Sequence, residues 1–220
     1  VLDHPERHFD RVVEIDLSRL EPHVVGPHSP DRARPIAALA AEVADAANGF
    51  KDEIDTSLIG SCTNSSYEDM SRAADVAEQA KAHGITAATP LMVTPGSEQV
   101  RATIERDGQM DSLKAIQGVV LANACGPCIG QWKREKLFEG LPNTIVTSYN
   151  RNFPRRNDGR AETAAFITSP EIVIAYGEML RAFDGDDGHN DVWSAPLDLE
   201  RRTWAQPSAA DLDGDGMLAL

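Results

Sequence analysis

A chain of 220 residues, 41% hydrophobic and only 5% aromatic, can bury one sizeable core built mainly from Ala, Val, Ile and Leu, and is too short for a second full domain. Its 35 acidic against 21 basic side chains give a formal charge of -14, which argues against a nucleic-acid surface, and the lack of any run of about 18 apolar residues excludes a transmembrane helix. Three cysteines, an odd number, argue against a disulfide scaffold and for a reducing compartment, bacterial cytoplasm or mitochondrial matrix.

The chain opens Val1, Leu2, Asp3 with no initiator Met, no apolar signal core and no Arg/Ser-rich transit segment, so it reads as a piece of a longer polypeptide. Val12 to Leu17 alternates apolar and charged residues and predicts an edge strand. A Pro-rich loop from Pro22 to Pro35 follows, then an alanine-rich helix over Ile36 to Ala47. Asp55 to Ile59 predicts a short strand leading into the loop of Cys62. Ser65, with Glu68 three residues on, predicts a capping box for a helix that runs to about His83, where Gly84 stops it. In that helix Tyr67, Met70, Ala74 and Ala77 recur at helical spacing and predict a core face.

Leu91 to Thr94 predicts the next strand, turned by Pro95, Gly96 and Ser97 into helices over Glu98 to Arg106 and Met110 to Ile116. Gly118 to Ala122 predicts a buried strand delivering Cys125 and Cys128, and Thr144 to Thr147 another, delivering an arginine-rich loop. Pro170 is placed as the first residue of a closing helix over Glu171 to Arg181, with Ser169 as its cap. Strands alternating with helices predict an α/β fold, three-layer α/β/α with a mainly parallel sheet. In such a sheet the loops at the carboxyl ends of the strands converge, which reconciles the wide separation of Cys62 from Cys125. Residues 1–183 are expected to form this domain and 184–220 an acidic, Gly/Asp-rich tail or linker. Within the tail, Asp211, Asp213 and Asp215 only superficially resemble the start of a calcium loop, which needs a Glu at its twelfth position and flanking helices.

The cysteines carry the chemistry. Cys62 stands alone in a Gly/Ser/Asn-rich segment, and Cys125 and Cys128 form a C-x-x-C around Gly126 and Pro127. Free cysteines are commonly buried core thiols. A C-x-x-C can be a redox pair, although a thioredoxin-like motif opens a helix after one strand near the start of its domain, which is not the context here. A structural zinc wants a fourth Cys or His, and none lies nearby. An iron–sulfur cubane held by three thiolates, with one iron left open as a Lewis acid for hydration or dehydration, accounts for more. The arginine loop points the same way: Arg151, Arg155, Arg156 and Arg160 fall within ten residues. Guanidinium forks match carboxylates in bidentate fashion, and a local basic cluster is needed for an anion to approach so acidic a protein. Trp132 is read as a packing residue shielding the centre, and the six histidines, scattered through termini and polar loops, are assigned no role.

Four segments, Gly60 to Ser65, Thr94 to Ser97, Ala122 to Trp132 and Ser148 to Phe153, resemble the third domain of aconitase in order and separation. The resemblance covers roughly residues 10 to 180, and its wording at 65–70 and 148–153 is closer to mitochondrial-type aconitases than to isopropylmalate isomerase or the iron-regulatory branch. It implies that Cys62, Cys125 and Cys128 each ligate one iron of a 4Fe-4S cluster, that Asn150 hydrogen-bonds near the labile iron as a catalytic residue, and that Arg151 and Arg156 bind substrate carboxylates. Arg155 departs from the family pattern, where a small residue is usual, and is left out of the site. The implied activity is a hydro-lyase interconverting citrate and isocitrate through cis-aconitate, with homoaconitase or isopropylmalate isomerase as near alternatives and a non-catalytic iron–sulfur or zinc module as the distant one. The resemblance also implies that the base and further substrate contacts come from the remaining aconitase domains, so this chain alone is expected to be inactive.

Overall fold

Thr56–Ile59 is buried at all four residues, and this short run of Thr, Ser, Leu and Ile is an interior strand of a seven-stranded sheet. The computed structural model describes residues 4–51, 53–60, 62–123, 125–134 and 140–179. In chain order the strands are β1 (His23–Val25), β2 (Ala33–Pro35), β3 (Thr56–Ile59), β4 (Leu91–Val93), β5 (Val119–Val120), β6 (Asn143–Thr147) and β7 (Thr163–Ile167). They lie in the order β2-β1-β7-β6-β3-β4-β5. From β7 to β5 every pairing is parallel, and β1 joins β7 and β2 antiparallel. The α/β class and the mainly parallel sheet expected from the sequence are what the chain forms.

The helices are α1 (Ile36–Ala44), α2 (Tyr67–Ala82), α3 (Glu98–Arg106), α4 (Gln109–Ala115) and α5 (Pro170–Met179). α2 packs on α3, α4 and α5, while α5 also lies on β3 and β6, so these four make one layer. Along α2 the buried residues are Met70, Ala73, Ala74, Val76, Ala77 and Ala80, small enough for neighbouring helices to approach closely. Burying Met70 alone contributes about 2 kcal/mol. The steps from β5 to β6 and from β6 to β7 run the opposite way across the sheet, and right-handed connections carry them over its other face. There Trp132 packs on Leu58, Ile145, Tyr149 and Ala165. That layer consists, among the described residues, of irregular connections and the 3-10 turn Gly126–Cys128.

Several local expectations change. The stretch from Pro22 to Pro35 is not only loop: it holds the β1–β2 hairpin, paired from His23 with Pro35 to Val25 with Ala33. Residues 4–21 belong to a unit separate from the one that begins at Pro22. In that unit Val12, Val13 and Ile15 are exposed and no strand forms among the described residues, because Asp16 accepts from the Ser18 amide and closes Leu17–Arg19 into a 3-10 turn. The capping box belongs to Ser66 and Asp69, one residue beyond the expected pair, and Ser65 is instead buried with its carbonyl accepting from Gly96 N. Tyr67, expected in the core, is 43% exposed and donates to Asp107. β5 is a two-residue edge strand with Val119 exposed, not a buried one. The boundary expected near residue 183, the tail beyond it and its aspartates lie outside the described residues. No helix among the described residues is long and apolar enough to cross a membrane.

Candidate metal centre

Three parallel strands deliver the cysteine and arginine loops to one end of the sheet. β3 ends at Gly60, where a Cβ would stand 2.8 Å from Thr94 Cβ and 2.9 Å from Thr94 O, so only glycine lets the chain pass this close to the end of β4. Gly60 N donates to Ser148 Oγ at 3.0 Å, and Asn64 Nδ2 donates to Ser148 O at 2.6 Å. The Cys62 loop is therefore held between the ends of β4 and β6 before the Ser66 cap opens α2.

The C-x-x-C follows β5. Leu121 N makes a last sheet bond to Val93 O at 2.8 Å, and the chain then tightens into a 3-10 turn in which Cys128 N donates to Cys125 O at 3.0 Å. Pro127 supplies a fixed φ inside the turn and is buried. The arginine loop locks onto this turn. Asn157 Nδ2 donates to Pro127 O at 3.0 Å and Trp132 N to Asn157 O at 3.3 Å.

Of the expected site residues, these loops link Cys62, Asn150 and Cys128, while Cys125 joins them only through its shared turn with Cys128. Cys62 Sγ is 3.9 Å from Thr63 Oγ1, Asn150 Nδ2 donates to that hydroxyl at 3.3 Å, and Cys128 Sγ is 3.9 Å from Asn150 Oδ1. Cys62 and Cys125 are exposed and Cys128 half-buried. Beneath them Tyr149 is 2% exposed; burial pushes its phenol well above the ordinary range, opposed by a hydrogen bond with Thr94 and reinforced by the nearby Cys128. Among the described residues no three Cys, His, Asp or Glu side chains gather as one metal ion would need.

Arg151 is exposed and, among the described residues, makes no hydrogen bond or ion pair. Arg156 is half-buried, and its Nε is buried without a partner. A buried guanidinium donor left unmatched is costly unless an acceptor completes it. Arg160, by contrast, is already engaged. Arg155 sits third in a turn closed by Arg156 N donating to Phe153 O at 2.9 Å, with Pro154 second and φ +64° at Arg155. This is a type II turn, which favours glycine at its third position, and a larger residue there costs roughly 1–2 kcal/mol. Gly130 backs the turn: at φ +79° its Cβ would meet Arg155 O at 3.0 Å.

A buried cluster that sequence reasoning missed supports the site from the other end of the strands. Arg134 and Asp158 are 2% and 1% exposed at 3.4 Å. Arg134 also donates to Thr56 Oγ1 at 3.3 Å and to Asn143 Oδ1, lies 4.8 Å over the Trp132 ring, and faces Asp158 held by Thr163 Oγ1 at 2.7 Å. Burial pulls the Arg134 pKa down, opposed by the hydrogen bond and charge of Asp158. Nothing in the spacing of Arg134, Thr56, Asn143, Asp158 and Thr163 announces the cluster, since each comes from a different element or connection. Thr63 was legible only as part of the Cys62 motif.

The model of the aconitase family (aconitate hydratase) matches residues 1–178. Mitochondrial aconitate hydratase of Emericella nidulans is 58% identical over 167 residues, 76% of this chain and 21% of that protein. The mitochondrial enzyme of Saccharomyces cerevisiae is 58% identical over 168 residues, again 76% and 21%, and that of Schizosaccharomyces pombe 49% identical over 211 residues, 95% and 26%. The chain thus spans between about a fifth and a quarter of the length of these relatives. With residues 1–178 matched, and the cysteine and arginine loops inside that span, the chain belongs to the aconitase family.

Proposed function

We propose that this chain is the cluster-bearing α/β portion of an aconitate hydratase that interconverts citrate and isocitrate through cis-aconitate. The observation that carries the reading is the bridge from Cys62 through Thr63 and Asn150 to Cys128, lying in a loop system that also holds Arg156 with a buried, unmatched Nε. Cys62, Cys125 and Cys128 would hold a 4Fe-4S cluster. Bound there, the cluster supplies an open iron that acts as a Lewis acid toward a substrate hydroxyl and carboxyl.

The chain's own residues do the rest of the holding. Arg156 presents a half-buried fork whose Nε is satisfied by a carboxylate oxygen, and Arg151 adds a second, solvent-facing fork. Asn150, tied to Thr63, has its amide fixed beside Cys128 and orients the substrate against the thiolate-held centre. Buried Tyr149 stays neutral and closes the floor against water. The proton-transfer groups belong to the remaining domains, consistent with a chain that covers a fifth of its relatives. The relatives are named mitochondrial, and the reading places this chain in the mitochondrial matrix, with bacterial cytoplasm as the other reducing compartment.

The test is anaerobic reconstitution with iron and sulfide, with iron counting and spin-resonance spectra taken with and without citrate, on this chain and on Cys62→Ser. Binding of about four irons that requires Cys62, with a spectrum that shifts on citrate, is the expected result. Zinc or a Cys125–Cys128 disulfide in place of iron would overturn it. The isolated chain is expected to hold iron and not turn over citrate.

A further inference from the structure

We propose that Arg155 is a recruiting cation for the polycarboxylate substrate, a role that rests on the function proposed above. Its backbone is the first reason. Arg155 occupies the position of the Phe153–Arg156 turn where φ is +64°, a conformation natural to glycine and strained for arginine. Non-glycine residues persist in such positions where the surroundings or function hold them there. Within the fold the side chain contributes nothing that would offset the strain: it is exposed and, among the described residues, makes no hydrogen bond or ion pair.

Location is the second reason. The turn is pressed against the C-x-x-C loop, with Arg155 O only 3.0 Å from where a Cβ on Gly130 would lie. It is bracketed in sequence by Arg151 and Arg156, the forks assigned to substrate carboxylates. A long cation leaving the apex of this turn therefore carries its charge at the rim of the same loop system. The third reason is the field. A chain of formal charge -14 repels a trianion, and the approach must run through a local reversal of sign. An exposed guanidinium acts over about a Debye length, roughly 8–10 Å at moderate salt, without touching the ligand. Arg156 grips; Arg155 attracts.

This assigns to Arg155 an effect on substrate capture that scales with ligand charge and vanishes with salt. The experiment uses the full-length reconstituted enzyme with Arg155→Gly, Arg155→Gln and Arg155→Lys. At about 10 mM ionic strength both Arg155→Gly and Arg155→Gln raise KM for citrate about threefold, and near 0.3 M the difference shrinks below about 1.5-fold. The inhibition constant of a tricarboxylate rises more than that of a dicarboxylate, and Arg155→Lys stays close to wild type. Arg155→Gly raises the melting temperature while Arg155→Gln does not, which shows that the strain was real and the charge effect separate from it. Salt dependences that superimpose for wild type and Arg155→Gly, or equal losses for tri- and dicarboxylates, overturn the recruiting role. Wild-type enzyme that neither binds nor turns over tricarboxylates overturns instead the function on which the role rests, and the role with it.

Discussion

Asn150 donates from Nδ2 to Thr63 Oγ1 at 3.3 Å, joining two loops that are 87 residues apart in sequence. Its other amide atom faces Cys128, so a single planar group fixes the Cys62 loop and the C-x-x-C loop relative to each other. In the full-length reconstituted enzyme, Asn150→Ala is expected to lower kcat by at least about tenfold, and Thr63→Ala by less. Because the two share one hydrogen bond, the double variant should show a coupling of about 1 kcal/mol in a kinetic cycle. Strictly additive losses would show that the bond does not transmit position to the site.

Removing one partner of the pair beneath the sheet should be severe. Asp158→Ala leaves Arg134 charged, 2% exposed and without its carboxylate, and such truncations cost about 3–5 kcal/mol. Denaturant unfolding of the chain measures this directly. A change below about 1 kcal/mol would mean that water reaches the guanidinium.

Gly130→Ala tests the contact between the C-x-x-C loop and the arginine turn. A methyl group at φ +79°, 3.0 Å from Arg155 O, forces one of the two loops to move, for an expected loss of about 1–2 kcal/mol. Iron content after reconstitution should fall in the same variant. Full stability together with full iron loading would show that the turn yields freely.

The pH dependence of stability carries a signature of Tyr149. Burial raises its pKa above the unfolded value, so the folded state keeps the proton that the unfolded state releases. The contribution is therefore fully present at neutral pH and is lost as the pH climbs above about 10. Subtracting the Tyr149→Phe curve from wild type should isolate a difference that is flat to about pH 9 and declines beyond it. A difference that grows with pH would have the wrong sign for a buried phenol.

The helix start offers a check on a local correction. Ser66 Oγ accepts from Asp69 N and the Asp69 carboxylate accepts from Ser66 N, so Ser66→Ala should cost about 1 kcal/mol through the cap. Ser65→Ala acts elsewhere, in a buried position beside Gly96, and should leave the melting of α2 unchanged in a hydrogen-exchange experiment on residues 67–70.

How legible this was depended on the range of the forces involved. α3 was placed at its observed bounds because Ser97 as cap and Arg106 in the last turn are local signals. α2 was found, yet its cap slipped by one residue because Ser65 and Ser66 offer equivalent hydroxyls, and only the burial of Ser65 against Gly96 separates them. β7 is absent from the sequence reading although Asp158 and Gly159 mark a turn before it: Thr163–Ile167 is short, and it is a strand because β6 offers a five-residue parallel partner. β1 and β2 hid among prolines for a related reason: Pro35 lies in β2, the edge strand, where proline is tolerated, and β1 is recognisable only through its pairing with β2 and β7. The candidate site was easier to nominate, because thiols, arginines and glycines have recognisable chemistry. What the sequence concealed was the support beneath it, since Arg134, Thr56, Asn143, Asp158 and Thr163 meet only through the topology of the sheet.

That support has a consequence for how such a chain can diverge. Thr56, Asn143 and Thr163 begin β3, β6 and β7, whereas Cys62, Cys128 and Asn150 lie beyond the far ends of the strands. The segment from Cys128 to Arg134 thus spans the sheet as a strut, anchored at one end in a buried cation. A descendant could exchange its surface freely and keep all three cysteines, yet the loss of Asp158 alone would strand that cation in the core. Arg134 and Asp158 are therefore bound to be inherited, or replaced, as one character.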